Sequence, residues 1–191
     1  MPQSDAQVNL LLGGGIDSAA LIAFYISRGS TVQGIHFNYN QPSFEGERCA
    51  VLALAQYYNI SLNTIDLGLK IACTQGEYHC RNATLLLSSA SILSTKQGRF
   101  AIGIHAGTSY YDCSKEFLED IQRIFNGYFS GSVQIEAPFI EFTKKDIFKY
   151  CKNAKVPINI TFSCERRGDI PCGECPSCLD RRALDESFRY L

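Results

Sequence analysis

At 191 residues with 46 % apolar side chains, the chain suffices for one domain of ordinary size, residues 1–191 forming a single unit around a buried core. Eighteen basic against nineteen acidic residues leave a net charge of −1, which gives no electrostatic reason to expect a nucleic-acid or membrane surface. No apolar run approaches membrane-spanning length and residues 1–7 lack a basic leader, so a cytoplasmic protein without membrane partners is expected.

Residues 8–12 read as a buried strand and 17–27 as a helix, apolar at Ala20, Leu21, Phe24 and Tyr25 and stopped by Gly29. A second strand is predicted over 31–37, a helix over 44–58 and a third strand over 62–66. After a less regular stretch come an apolar helix over 83–96, a strand over 100–104, an amphipathic helix over 114–125 capped by Ser114, and a strand over 133–137. Thr143 caps a helix reaching Ala154, with Asp146 in capping-box register, and 177–188 reads as a last helix. Five strands with interleaved helices predict an α/β fold, a doubly wound five-stranded parallel sheet whose ligands bind beyond the carboxyl ends of its strands.

That rule directs attention to the end of the first strand, where Leu12-Gly13-Gly14-Gly15-Ile16-Asp17-Ser18 enters a helix. Consecutive glycines expose backbone N–H groups, and the helix N-terminus adds unpaired donors and the positive end of its dipole, which together make an anion cradle. Asp17 and Ser18 supply a carboxylate and a hydroxyl suited to a magnesium-bound group and a phosphate oxygen. A plain glycine turn with Asp17 or Ser18 as helix cap is the alternative. No lysine follows the glycines, which excludes a Walker-type P-loop. The second strand ends in His36-Phe37-Asn38-Tyr39, where a dinucleotide fold would want an acidic residue for the ribose.

Nine cysteines in a reducing compartment point to metal or catalysis before disulfides. Cys164, Cys172, Cys175 and Cys178 form a C-x7-C-x2-C-x2-C array, with Gly168, Pro171, Gly173 and Pro176 supplying tight turns. Four thiolates close a tetrahedral Zn²⁺ site with no position left for water, so the metal is expected to hold structure. The dispersed Cys49, Cys73, Cys80, Cys113 and Cys151 read as small buried hydrophobes.

The glycine loop resembles the PP-loop of ATP pyrophosphatases, usually S-G-G-x-D-S. With the tail array, the chain resembles the 7-cyano-7-deazaguanine synthase (QueC-like) family, whose fold is adenine nucleotide alpha hydrolase-like. Phe37-Asn38-Tyr39-Asn40-Gln41 resembles the family's F-D-Y-G-Q, Arg81-Asn82 its R-N, and Ile102-Gly103-Ile104-His105-Ala106 with Asp112-Cys113 its I-G-V-N-A and D-C. Ala137-Pro138-Phe139 and Thr143-Lys144 resemble its A-P-L and T-K, and the four tail cysteines match its zinc ligands.

The resemblance implies ATP-dependent carbon–nitrogen ligation with Mg²⁺ and Zn²⁺ as cofactors and 7-carboxy-7-deazaguanine and ammonia as substrates. It implies catalytic roles for Asp17, Ser18, Lys144 and Arg81, and nucleotide contacts from Leu12, Gly13, Gly14, Gly15, Phe37, Asn38 and Gln41. Arg81, Asn82, His105 and Asp112 become the substrate side, and a homodimer is compatible.

Some positions depart from the pattern. Gly13 stands where the loop usually has serine, Pro42-Ser43-Phe44 replaces a basic stretch, and His79-Cys80 replaces a proline-containing lead into R-N. The segments 69–81 and 105–113 are shortened. A clipped lid also suits a defence-type enzyme that attaches a deazaguanine to a protein terminus. A tRNA sulfur transferase using Cys172 and Cys175 and a non-catalytic nucleotide-binding module are lesser alternatives. Of His36, His79 and His105, a histidine near a strand end is more often a satisfied core residue, and His105 is the one placed for base or acceptor contact.

Overall fold

The computed structural model describes residues 7–74, 76–93 and 97–187. Five strands, β1 (Val8–Leu11), β2 (Val32–Asn38), β3 (Ser61–Asp66), β6 (Gly98–Ile102) and β7 (Val133–Glu136), form one parallel sheet in the order β3-β2-β1-β6-β7. Between them run α1 (Ile16–Ile26), α2 (Phe44–Tyr58), α3 (Arg81–Ile92) and α4 (Lys115–Phe129), followed by α5 (Lys144–Asn153) and α6 (Pro176–Ser187).

Both faces of the sheet are covered, which is why β1, its central strand, is buried at all four residues. Val8, Leu10 and Leu12 point to a core shared with α1, α2 and α5, while Leu11 joins Ile35, Phe100 and Ile102 in a second core closed by α3 and α4. The sheet order reverses direction between β1 and β6, so the carboxyl ends of these two strands flank a topological switch point.

All five predicted strands form, with ends displaced by a residue or two. The helix predicted over 44–58 is α2 as expected, ended by Asn59 in left-handed conformation (φ +51°). Ser114 Oγ accepts from the Phe117 N–H, and Thr143 with Asp146 forms a full capping box. Helix α4 runs one turn beyond 125, where Phe129 packs on Phe125 with ring centroids 5.7 Å apart. Helix α3 begins at Arg81, two residues before 83, and positions 94–96 of the predicted helix and 188 of the last one lie outside the described residues.

One element was not expected. β4 (Cys73–Thr74) and β5 (Glu77–Tyr78) pair antiparallel in a small hairpin ahead of α3. The reading of the dispersed cysteines is also corrected: Cys151 is buried, but Cys49 on α2 and Cys73 and Cys80 around the hairpin are exposed. Among the described residues no helix is long and apolar enough to cross a membrane.

Candidate functional site

At the switch point lies a cavity of about 410 Å³, within the ~300–1,000 Å³ span of small-molecule sites. Its floor is the glycine loop. Gly15 is the N-cap of α1 and bonds no side chain to the helix, so the first-turn donors of α1 lack the cap that usually satisfies them. Gly13 has open space where a Cβ would stand, and its N–H donates to Ser18 Oγ at 2.9 Å. Gly14 does something different: at φ +77° it lets the loop touch α2, where a Cβ would meet the Glu47 carbonyl at 2.9 Å. Gly14 does not line the cavity; Gly13, Gly15, Leu12, Asp17 and Ser18 do.

Asp17 sits in the first turn of α1, and Lys144, opening α5, reaches across to bond its Oδ2. The other oxygen, Asp17 Oδ1, is buried without a hydrogen-bond partner. Gly103, at the end of β6, makes this approach possible, because a Cβ there would lie 3.3 Å from that of Asp17.

The opposite wall carries Arg81 and Asn82 from the start of α3, with Tyr39 and Tyr78. Asn82 is buried and fully engaged: its N–H donates to Asp112 Oδ2 (3.1 Å), its Nδ2 to the Asp112 carbonyl (2.8 Å), and its Oδ1 accepts from Arg81 Nε (3.2 Å). Burial works against the Arg81 charge, but Tyr39 and Asp112 more than offset it and hold the guanidinium pKa above its usual value. Burial pushes the Tyr39 hydroxyl up to about 12 and, with Asp112 beside it, the Cys113 thiol up to about 11. Asp112 itself lies behind the wall and acts on the cavity through Asn82.

The other predicted residues take separate places. Gln41 is buried, accepting from the Tyr39 N–H and donating to the Phe37 carbonyl and to Glu47, each at 2.9 Å. Asn38 bonds Asp66 and the Asn40 N–H. Phe37 lines the cavity, whereas Asn38 and Gln41 shape the turn beneath it. His105 bonds the Ala106 carbonyl through Nδ1 at 2.7 Å and faces a second cavity of about 360 Å³, which shares Ile16, Lys144, Ser163 and Ser177 with the first.

The tail array closes the remaining side. The four sulfurs of Cys164, Cys172, Cys175 and Cys178 lie within 4.8 Å of one another. A tetrahedral Zn²⁺ with Zn–S bonds of about 2.3 Å would need sulfurs about 3.8 Å apart, so the donor set fits with minor contraction. The N–H groups of Arg166 and Cys172 point at Cys164 Sγ and those of Glu174 and Cys175 at Cys172 Sγ, at 3.4–3.5 Å. The last two lower the Cys172 thiol to about 6, favouring the thiolate a metal needs. The segment is anchored to the loop: the Phe162 N–H donates to the Gly14 carbonyl at 2.9 Å, and its ring fills the space a Cβ on Gly46 would need. Ser163, Cys164, Glu165 and Ser177 thereby become cavity wall.

The family model of queuosine biosynthesis protein QueC matches residues 7–79 and 77–188. The chain belongs to the QueC family. A 7-cyano-7-deazaguanine synthase of Methanothrix thermoacetophila is 30% identical over 203 residues, covering 90% of both chains, and one of Synechococcus sp. is 29% identical over 209 residues, covering 94% of both. A 4-thiouridine synthetase solved with RNA and bound ATP shares the fold at a TM-score of 0.58, with 17% identity over 95% of this chain and 50% of that one. A predicted tRNA methyltransferase subunit of Methanocaldococcus jannaschii shares it at 0.52, with 14% identity over 77% and 74%.

Within this QueC-family cavity, sequence reasoning passed over Ser43, Glu47 and Phe162, and it read His36 as a satisfied core residue, although His36 is 1% exposed and lines the cavity beside Leu12. Its position at a strand's carboxyl end was the available signal.

Proposed function

We propose that this chain is an ATP-dependent carbon–nitrogen ligase of the 7-cyano-7-deazaguanine synthase type, acting on 7-carboxy-7-deazaguanine and ammonia. The carboxylate attacks the α-phosphate of ATP, giving an acyl adenylate and pyrophosphate, and ammonia displaces AMP to leave an amide. A second adenylation on the amide oxygen, followed by loss of AMP, yields the nitrile.

The observation that carries this reading is the unpartnered Asp17 Oδ1, on a carboxylate whose other oxygen, Oδ2, is held by Lys144 at the uncapped start of α1. The Gly13 and Gly15 N–H groups and the Ser18 hydroxyl receive the pyrophosphate end of ATP, while Lys144 and Arg81 offset charge gathering on the phosphates. Asp17 Oδ1 is a hard oxygen ligand suited to Mg²⁺, which would draw the phosphate charge toward it. Asn82, positioned by Asp112, meets the base, and His105 serves the acceptor side from the adjoining cavity. The four tail thiolates would hold a structural Zn²⁺, and one zinc per purified chain without iron is the expected metal content.

The test is to incubate the protein with ATP, Mg²⁺, 7-carboxy-7-deazaguanine and ammonium and to read products by mass. Nitrile and two AMP per turnover are expected. Pyrophosphate release indifferent to the deazaguanine would remove the substrate assignment, and a mass gain on an added protein partner would replace ammonia with a protein terminus.

A further inference from the structure

His36 has a ring whose two nitrogens are treated differently. Nδ1 lies 2.9 Å from the Leu12 carbonyl, which can only accept, so this nitrogen carries the proton. The ring lies parallel to Phe44, with an interplanar angle of 3° and centroids 5.5 Å apart, which fixes where Nε2 points. Burial, opposed by the Leu12 carbonyl, lowers the His36 pKa below 6.5, so the ring is neutral and Nε2 presents a bare lone pair.

That lone pair has no partner, although the residue is 1% exposed and lines the cavity. Two donors that share the β2–α2 turn with it are committed elsewhere. Ser43 Oγ donates to Glu47 Oε1 at 2.6 Å, and Gln41 Nε2 donates to Glu47 Oε2 and to the Phe37 carbonyl. A buried acceptor left unbonded lowers stability, so the arrangement is understandable where a ligand brings the missing donor.

We infer that His36 Nε2 accepts a hydrogen bond from the nucleoside part of bound ATP, an uncharged hydroxyl or amine, and so makes His36 a determinant of nucleotide specificity. The chemistry of the atom selects this partner. Phosphate oxygens are acceptors and would face the lone pair with like polarity, and Mg²⁺ prefers oxygen ligands. The ring is tied to Leu12, immediately before the phosphate loop, while Phe37 next to it lines the same cavity. It is thus tied to the residue that leads into the phosphate loop and lines the same cavity, a position suited to the nucleoside attached to a triphosphate held by that loop.

This inference rests on the nucleotide reading of the cavity, and the experiment separates the two. ATP, its 2′-deoxy and 3′-deoxy forms and purine riboside triphosphate, which lacks the 6-amino group, are titrated calorimetrically into wild type, His36→Asn and His36→Gln. Asn keeps a donor near Nδ1 and removes the acceptor at Nε2; Gln can return an amide oxygen there. His36→Asn is expected to weaken ATP by about 10-fold, with His36→Gln recovering most of the loss. One analogue should bind wild type and His36→Asn equally, identifying the donor by its missing group. Equal losses across all four nucleotides, or ATP binding to His36→Asn as to wild type, overturn the inference while leaving ATP binding intact. Failure of ATP to bind wild type would overturn both readings. Because the chain has three histidines, the ¹⁵N resonance of His36 Nε2 can be followed in the wild type alone. It should move on adding ATP and stay fixed with inorganic tripolyphosphate; the reverse pattern would place a phosphate there and sink the inference even if the variants fail to fold.

Discussion

The two walls of the main cavity differ in what their polar atoms do. On the β1–α1–β2 wall, Asp17 Oδ1 and His36 Nε2 are buried without partners and the helix start has no side-chain cap. On the α3 wall, Arg81, Asn82 and Asp112 are bonded to one another. The lesson is that the first wall waits for groups that a ligand supplies, while the second is a finished structure that presents a positive charge and an amide face.

The comparison predicts different failures. Asp17→Asn should cut substrate-dependent pyrophosphate release by about 100-fold or more, since it weakens the charge arrangement around the phosphates, while the melting midpoint stays close to wild type. Asn82→Ala, on the finished wall, should do the opposite. Its lost side-chain contacts to Arg81, Asp112 and Cys113 should reduce unfolding free energy by about 1–3 kcal/mol, measured by denaturant titration, with ATP affinity retained. If Asn82→Ala abolished ATP binding without loss of stability, the contrast between the walls would be wrong.

A smaller effect distinguishes His36. Its pKa is lowered by burial, so the unfolded chain binds the proton more readily and stability rises with pH. The contribution is complete above the unfolded value near 6.5 and is lost as pH falls toward the folded pKa, with a slope of at most about 1.4 kcal/mol per pH unit. Denaturant midpoints of wild type and His36→Asn between pH 5 and 8 should show this slope in the first and not in the second. The smallest change is Gly13→Ser, which restores the hydroxyl common in such loops. A side chain there meets open space, so stability should move by no more than about 0.5 kcal/mol while ATP affinity rises modestly.

Local chemistry was the part of the molecule that the sequence made legible. The Ser114 cap and the Thr143–Asp146 box depend on residues three apart, and the strand–glycine–helix transition at Gly13 to Ser18 announces an anion site by composition. The Cys164 to Cys178 spacing likewise survives folding as one cluster. Long-range packing was not legible. Gly14 was read as a phosphate donor, yet its glycine is required by the approach of α2, and Gln41 bonds Glu47 on a helix whose placement no local pattern reveals. The choice between His105 and His36 depended on which ring the fold buries with a nitrogen unbonded. Two-residue strands such as β4 and β5 are too short to show periodicity at all.

The most direct test of the central claim is a crystal structure with Mg²⁺ and an ATP analogue that cannot be cleaved between the α and β phosphates. The account predicts its triphosphate on the Gly13 and Gly15 N–H groups and the start of α1, with Lys144 beside it, the metal on Asp17 Oδ1 and the nucleoside against His36 and Phe37. A triphosphate lying instead in the His105 cavity, with the loop untouched and Ser18 still bonded to Gly13, would contradict it.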